Sequence, residues 1–256
     1  MNAEVRCPAC DSVYTLHVQD VVGARTGLTY PQRFCMDCNS FFHRTGYVED
    51  DSQQLLDFEF LFADRENHYA LQSQLALEIL TRLPGVGSVL EIGHGAGFFL
   101  KACTDYGLNA TGFEVNPHCH RFAIENLKVD SRLGMFDENH KTKYDLIVAL
   151  QVFEHLENPR KLFELMRRHL NRDGAIYLSV PFVERNQWKF LWTAGKLNEK
   201  HRADVFADND VHITNFSIEG MRRMGIGMGA RTAEYFVSKD VYRNSPGAYQ
   251  GVLFEF

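Results

Sequence analysis

The sequence predicts an α/β protein with a mainly parallel sheet, helices on both faces of that sheet, and a small cysteine-rich module before it. From Gly85 onward, apolar runs typical of buried strands alternate with helical segments, a pattern that favours a parallel sheet. A glycine-rich turn follows the first of these strands, and two C-x-x-C pairs stand near the N-terminus. With 256 residues, 45% of them hydrophobic, the chain is long enough for one core of about 200 residues and a small extra module.

The composition argues against several other classes of protein. Charged residues make up 23% of the chain and aromatic residues 12%, so disorder is not expected to dominate. No apolar run approaches the roughly 18 residues that a membrane-spanning helix needs. The first residues lack the basic and apolar regions of a secretory signal, so we expect a cytoplasmic protein. The net charge of −6 does not favour a strongly basic nucleic-acid face, although a local basic patch stays open.

Two C-x-x-C pairs predict a structural zinc site. Cys7 and Cys10 form the first pair, and Cys35 and Cys38 form the second. Each pair presents two thiolates from one tight turn, and two such turns complete the tetrahedral shell that Zn²⁺ prefers, with no position left for water. The metal would fold a segment that is too short to bury its own core. Free thiols or a redox pair are the alternative, and His43 could compete as a ligand, but we favour the four cysteines.

The chain divides into three predicted parts. Residues 1–45 form the zinc ribbon, residues 46–84 form a helical connector that ends at Pro84-Gly85, and residues 85–256 form the α/β domain. Asparagine or serine precedes several helical segments and predicts their N-caps. The predicted strands of the α/β domain are Ser88–Ile92, Asn109–Glu114, Arg132–Met135, Tyr144–Leu150, Ala175–Val180, Thr232–Ser238 and Gly251–Glu255, and the predicted N-caps are Asn116, Asn158 and Ser217.

A long irregular stretch follows the fifth predicted strand. Residues 184–212 carry Trp188, Trp192 and several charges. Long loops beyond the strand ends of an α/β sheet often carry binding residues. We therefore expect a lid or part of a substrate pocket here, with a place in the core as the alternative for both tryptophans.

The most informative stretch is the glycine-rich turn Glu91-Ile-Gly93-His-Gly95-Ala-Gly97. Glycines let the chain turn sharply and let a ligand approach the amides at a helix N-terminus. A dinucleotide fingerprint needs glycine at its first, third and sixth positions, but the sixth position here is Phe98. No Lys-Ser/Thr pair follows, so a phosphate loop is not indicated. The spacing favours a ligand whose tail is an amino acid.

This stretch resembles the first motif of the class I S-adenosylmethionine (SAM)-dependent methyltransferases, acidic-x-Gly-x-Gly-x-Gly, which Glu91, Gly93, Gly95 and Gly97 match. In that family an acidic residue at the end of the second strand holds both ribose hydroxyls, and Glu114 stands at the matching position. The resemblance implies a seven-stranded Rossmann-like sheet and SAM as the methyl donor. His94 departs from the small or polar residue usual within the loop, and the acidic motif of the third strand is met only loosely, by Asp137 or Glu138.

Three later segments resemble the branch of this family that acts on quinones and other small molecules. Tyr144–Pro159 contains the pair Glu154-His155, Arg172–Pro181 matches the fifth strand, and His212–Ser217 matches a His-x-x-x-Phe-Ser segment. The N-terminal ribbon is similar both to sugar C-methyltransferases and to bacterial rRNA guanine methyltransferases. The acidic net charge favours the first of these two classes.

The predicted function is therefore methyl transfer from SAM to a small-molecule acceptor, with sugar derivatives among the candidates. An RNA methyltransferase that grips RNA with its ribbon is the first alternative, and a SAM-binding scaffold without catalysis is the second. Gln151 follows the fourth strand and is expected to lie beside the cofactor. His155 or His212 is the candidate catalytic base, with a helix cap and a buried structural histidine as the plain alternatives.

Overall fold

The computed structural model describes residues 5–23, 27–43, 51–186, 212–239 and 246–256. Within these ranges the chain forms two sheets and the helices that surround the larger one. No helix in the described ranges is long and apolar enough to cross a membrane. The strands are β1 (Thr15–Val22), β2 (Thr29–Cys35), β3 (Phe41–Phe42), β4 (Ser88–Ile92), β5 (Asn109–Glu114), β6 (Asp130–Leu133), β7 (Tyr144–Leu150), β8 (Leu170–Ser179), β9 (Thr214–Asn215), β10 (Thr232–Lys239) and β11 (Pro246–Glu255). The helices are α1 (Asp51–Ala63), α2 (Arg65–Arg82), α3 (Phe98–Asp105), α4 (Pro117–Phe122), α5 (Pro159–Arg168), α6 (Val183–Asn186) and α7 (Ile218–Gly227).

The larger sheet has seven strands in the order β10-β11-β8-β7-β4-β5-β6, which confirms the predicted α/β architecture. The five strands from β8 to β6 in this order run parallel, whereas β11 lies antiparallel to both β8 and β10. One apolar cluster packs on each face, so the central strands are buried on both sides. The carboxyl ends of β4, β5 and β7 consequently meet at one edge of the sheet, where ligands bind in open α/β folds.

Several elements differ from the predictions. Strand β6 ends two residues earlier than predicted, at Leu133, and β8 starts five residues earlier, at Leu170. The helix capped by Asn116 ends at Phe122 and continues as a π-helical turn, Ala123–Leu127. The predicted helical connector contains two helices, α1 and α2. Trp188 and Trp192 lie outside the described residues.

The smaller sheet joins the N-terminal segment to the C-terminal half of the chain. Its strand order is β1-β2-β3-β9, and β3 pairs antiparallel with β9. Beyond β9, the Ser217 hydroxyl donates to the Cys38 carbonyl and its amide donates to Ser40 Oγ over 3.1 Å. A side chain at Gly220 would overlap Ser40 Oγ, so helix α7 can pack this closely only because the residue is glycine. The cysteine-bearing segment is therefore anchored to the residues that follow His212.

Candidate functional site

The glycine loop connects β4 to α3 and is held in one shape by its backbone. Gly93, Gly95 and Gly97 all have positive φ angles, of 67°, 55° and 85°, which other residues rarely adopt. The Gly93 amide donates to the Phe113 carbonyl over 2.8 Å, which ties the loop to the end of β5. A side chain at Gly93 would also collide with Val152. The three predicted glycines therefore lie in one turn that only glycine fits.

The Glu114 carboxylate lies directly beside this turn. Its Oε2 accepts a hydrogen bond from the Gly95 amide over 2.7 Å, and its Oε1 accepts one from the Asn116 amide over 2.8 Å. Burial raises the pKa of the group, and these two amide bonds act in the opposite direction. Each carboxylate oxygen can accept a second hydrogen bond. The arrangement therefore fits a ligand that presents two hydroxyls, as a ribose does.

Glu91 is almost fully buried, with 1% of its surface exposed. Its Oε2 has no hydrogen-bond partner within the described part of the chain. Burial raises its pKa well above the ordinary range, and the nearby Glu114 charge adds to the effect. The carboxyl group thus lies in the core with an unused acceptor, and a cationic or hydrogen-donating ligand group would complement it.

His94, which departs from the family pattern, helps to hold the fold together. Its Nε2 is hydrogen-bonded to Ser131 Oγ over 2.6 Å, which connects the loop to β6. Its ring also lies against Gly112, where a side chain would come within 2.6 Å of Cδ2. Burial lowers the pKa of His94 to about 4, so the ring is neutral at pH 7. The ring packs inside the fold as a neutral group.

Helix α1 covers the glycine loop, a contact that the sequence analysis missed. A side chain built at Gly95 would lie 3.3 Å from Leu61 Cδ1. The Asn116 amide side chain donates to the Gln54 carbonyl over 2.8 Å, and the ring of Phe58 lies 5.8 Å from that of Phe122. The apolar residues between positions 55 and 62 could have indicated a packed helix here, but the polar residues before them obscured the pattern. This helix forms one wall of the candidate cofactor site.

Gln151 lies at the carboxyl end of β7, as predicted. Its φ of 57° turns the chain sharply, and its amide donates to the Ser179 carbonyl over 2.8 Å. Its side chain also reaches Ser179 Oγ, with Nε2 as donor over 3.2 Å. Because β4 and β7 are neighbours, this exposed residue stands at the same sheet edge as the glycine loop.

The structure brings His155 and His212 together, and it adds Glu154 to them. The two imidazole rings meet edge to face at an interplanar angle of 70°, with centroids 4.9 Å apart. His155 Nε2 lies 3.9 Å from Glu154 Oε1. Glu154 is 1% exposed, neither of its oxygens has a hydrogen-bond partner within the described residues, and burial raises its pKa to about 8. We call these three residues the Glu-His-His cluster. Such a group can hold or move a proton near neutral pH.

The four predicted zinc ligands also converge. Cys7 Sγ lies 3.7 Å from Cys38 Sγ, and Cys10 Sγ lies 3.5 Å from Cys35 Sγ. Four sulfurs at about 2.3 Å from one Zn²⁺ would lie about 3.8 Å apart in a tetrahedron, so the observed spacing fits the ion. His43 is not part of this cluster, and its ring lies 4.8 Å from that of Tyr30.

The two turns that carry these sulfurs have matching backbones. The amide of the first cysteine donates to the carbonyl five residues later, over 2.9 Å in both turns. The residue after the second cysteine, Asp11 or Asn39, has a positive φ in each. Two copies of one turn thus face each other across the sulfur cluster, as a symmetric four-sulfur site requires.

Comparison with known proteins identifies the family. A family model described as a methyltransferase domain matches residues 63–224. The chain belongs to this family. That result supports the resemblance seen in the glycine loop, and solved methyltransferases share the fold of this chain.

Individual relatives of this methyltransferase-domain protein are distant. The ubiquinone biosynthesis O-methyltransferase of Actinobacillus pleuropneumoniae serotype 7 is 27% identical over 104 residues, which cover 36% of this chain and 44% of that protein. The tRNA U34 carboxymethyltransferase of Campylobacter fetus is 23% identical over 107 residues, or 38% of each chain. The match thus spans less than half the length of either relative. The structure of the plantazolicin methyltransferase BpumL in complex with SAH aligns with a TM-score of 0.54 and 14% identity, over 80% of this chain and 89% of that one.

Proposed function

We propose that this protein transfers a methyl group from SAM to a small-molecule acceptor. The observation that carries the proposal is the pairing of Glu114 with the Gly95 amide, because it sets a ribose-binding carboxylate against a turn that only glycine fits. The Glu-His-His cluster follows β7 at the same sheet edge, so a proton-handling group lies near the proposed donor site.

Several groups of the chain would hold the donor. Glu114 would accept both ribose hydroxyls, and the unused oxygen of Glu91 would receive the donor's ammonium group, directly or through water. Val115, which follows Glu114 and is 56% exposed, offers an apolar surface for a flat ring attached to that ribose. Gln151 would border the methyl group from the end of β7. When bound, SAM supplies a methyl group already activated by its sulfonium, so the protein mainly aligns the partners and excludes water.

The acceptor would lie over the Glu-His-His cluster. An acceptor hydroxyl must lose its proton as its oxygen attacks the methyl carbon, and histidine is well suited to that transfer near neutral pH. The sequence predicts part of this pocket in residues 184–212, of which 187–211 lie outside the described part of the chain.

The zinc proposal connects the ribbon to this chemistry. We propose that Cys7, Cys10, Cys35 and Cys38 bind one structural Zn²⁺ and that residues 1–45 fold around it. The carbonyl of Cys38 receives the Ser217 hydroxyl, and β3 pairs with β9, which begins two residues after His212. The ion would therefore fix the position of His212 as well as the ribbon.

An RNA acceptor is the second candidate, because the Campylobacter fetus relative is named for a tRNA nucleotide. Charge argues against it here. The chain carries a net charge of −6, and residues 1–45 contain four arginines against four acidic residues. A ribbon that gripped RNA would need an excess of positive charge to attract phosphates.

Label transfer separates the two acceptors. Zinc-loaded protein would be incubated with methyl-labelled SAM and either a pool of small metabolites or total RNA. We expect label in the metabolite pool and none in RNA. The metabolite signal should fall to background in a Glu114→Ala variant assayed at low donor concentration. Label in RNA alone would contradict the small-molecule assignment and support the alternative.

A further inference from the structure

We propose that Glu154, His155 and His212 together bind a divalent transition-metal ion, separate from the ion of the four cysteines. As a second metal site this goes beyond the proposed function, and only its consequence for the acceptor rests on that function.

Two chain segments set the positions of the three ligands. Glu154 and His155 belong to a 3₁₀ turn, Phe153–His155, which directly follows the sharp turn at Gln151. His212 immediately precedes β9, which packs against that turn. The backbone of this second segment is fixed from the ribbon side, since the His43 amide donates to the Ile213 carbonyl over 3.0 Å. The two segments therefore face each other with anchored backbones, as a metal site requires.

The donor atoms have the spacing of an ion site. One ligand atom from each residue lies within 4.8 Å of the other two. With bonds of about 2.1 Å, neighbouring ligand atoms would lie about 3 Å apart around an octahedral ion and about 3.4 Å apart around a tetrahedral one. The gap between Glu154 Oε1 and His155 Nε2, 3.9 Å, therefore has to close by at most about 1 Å. Rotation of the two imidazole rings can supply this movement.

The burial of Glu154 supplies the independent reason for a cation. A carboxyl group with 1% exposure normally has hydrogen-bond partners or a counter-ion, because burying an unpaired charge costs several kcal/mol. Neither oxygen of Glu154 has a hydrogen-bond partner in the described part of the chain. One nitrogen of each of two histidines lies within 4.8 Å of a Glu154 oxygen. A divalent ion would satisfy the carboxylate and use both imidazoles as ligands.

The donor set selects the kind of ion. Two imidazole nitrogens and one carboxylate suit borderline ions such as Fe²⁺, Co²⁺, Ni²⁺ or Zn²⁺ and leave coordination positions open. The four-cysteine cluster, with sulfur ligands only, selects Zn²⁺ with a closed shell. In the proposed function, an open position would take the acceptor oxygen and lower the pKa of its hydroxyl. With both imidazoles as ligands, the proton of that hydroxyl would pass to water and not to a histidine.

Equilibrium dialysis with Co²⁺ tests this site. The protein would first be loaded with zinc and desalted, so that the four cysteines are occupied, and Co²⁺ would then be added. We expect one equivalent of bound Co²⁺ whose absorption lacks the intense thiolate charge-transfer band of a cysteine site. Glu154→Gln and His212→Gln should each weaken this binding by about 100-fold or more. Glu157→Gln, which changes an exposed carboxylate in the same segment, should leave it unchanged.

The outcomes separate this inference from the proposed function. Absence of Co²⁺ binding in the wild type, or equal binding in all three variants, would overturn the metal site. SAH binding, measured by calorimetry without Co²⁺, tests the donor site independently. If SAH binds and Co²⁺ does not, the metal site is wrong and the methyltransferase proposal stands. If Co²⁺ binds and SAH does not, the metal site stands and the methyltransferase proposal is wrong.

Discussion

The proposed cofactor end and the proposed acceptor end of the same sheet edge are built in different ways. At the cofactor end, the decisive hydrogen bond joins Gly95 and Glu114, which are 19 residues apart. At the acceptor end, the segment that carries His212 is held by a sheet partner and by hydroxyl contacts such as Ser40–Ser217, 177 residues apart. A site built locally depends on one loop, whereas a site built from distant segments depends on everything that holds them. The donor site should therefore survive changes to the ribbon better than the acceptor site does.

Loss of the zinc ligands should have the largest effect. Cys10→Ser should lose the tightly bound zinc and much of the protein's solubility, because the ion organises the whole ribbon. Metal analysis after desalting should give about one tightly held zinc per wild-type chain. Cys119→Ser, at a buried cysteine outside the cluster, is the matched control and should keep its zinc. A wild-type protein that is folded and free of metal would contradict the zinc proposal.

Loss of either histidine of the Glu-His-His cluster should affect turnover and spare cofactor affinity. His155→Ala or His212→Ala should lower kcat by about 10²- to 10⁴-fold, the range of a lost proton-transfer group or ligand. SAH affinity should change little, because the ribose carboxylate and glycine loop are untouched. His17→Ala, at an exposed ribbon histidine, should keep full activity. A loss below about tenfold would indicate positioning only, and full activity in both variants would refute the acceptor-site assignment.

Glu114→Ala should weaken SAH binding without removing it. The expected loss is about 1.5–3 kcal/mol, or roughly 10- to 150-fold in Kd, the scale of hydrogen bonds to a charged group. Glu125→Ala, which removes an exposed carboxylate from the π-helical turn, serves as the control. Calorimetric titration of both variants measures the difference. Equal affinities would remove Glu114 from the ribose site.

Substitution of His94 should have the smallest effect, a change in the stability of the protein at acid pH. Its folded-state pKa, about 4, lies below the value of about 6.5 for an unfolded histidine, because burial disfavours the charged ring. The stability that this neutral ring contributes is therefore complete above pH 6.5 and is lost as the pH falls towards 4. His94→Gln keeps an amide nitrogen near the position of Nε2 but cannot take up a proton. The variant should therefore lose about 1 to 3 kcal/mol less unfolding free energy than the wild type as the pH falls towards 4. Urea unfolding at several pH values measures it, and parallel curves for both proteins would contradict the assignment.

The sequence predicted the local parts of the molecule well. Strands β4, β5 and β7 have the predicted boundaries. Strands β4 and β7 are mainly apolar runs, and β5 ends just before the Asn116 cap of the next helix. The N-caps Asn116, Asn158 and Ser217 all accept amide hydrogen bonds in the structure, as their residue types predicted.

Contacts between distant segments could not be predicted in the same way. Nothing in residues 214–215 marks them as a strand, since their partner, β3, lies in the ribbon and only the fold brings the two together. The wall that α1 forms over Gly95 and the isolation of Glu154 likewise arise from packing, which one sequence does not encode by local pattern. The sequence therefore named His155 and His212 without showing that they meet.

Calorimetric titration with SAH and with NAD⁺ tests the central claim most directly. We expect the wild type to bind one SAH per chain and no NAD⁺, because Phe98 stands where a dinucleotide loop needs glycine. Gly95→Val should abolish SAH binding by filling the space at the turn. Gly107→Val is the control, since Gly107 also has a positive φ but has no atom within 4 Å of its added side chain. No SAH binding by the wild type, or equal SAH binding by both variants, would contradict the account.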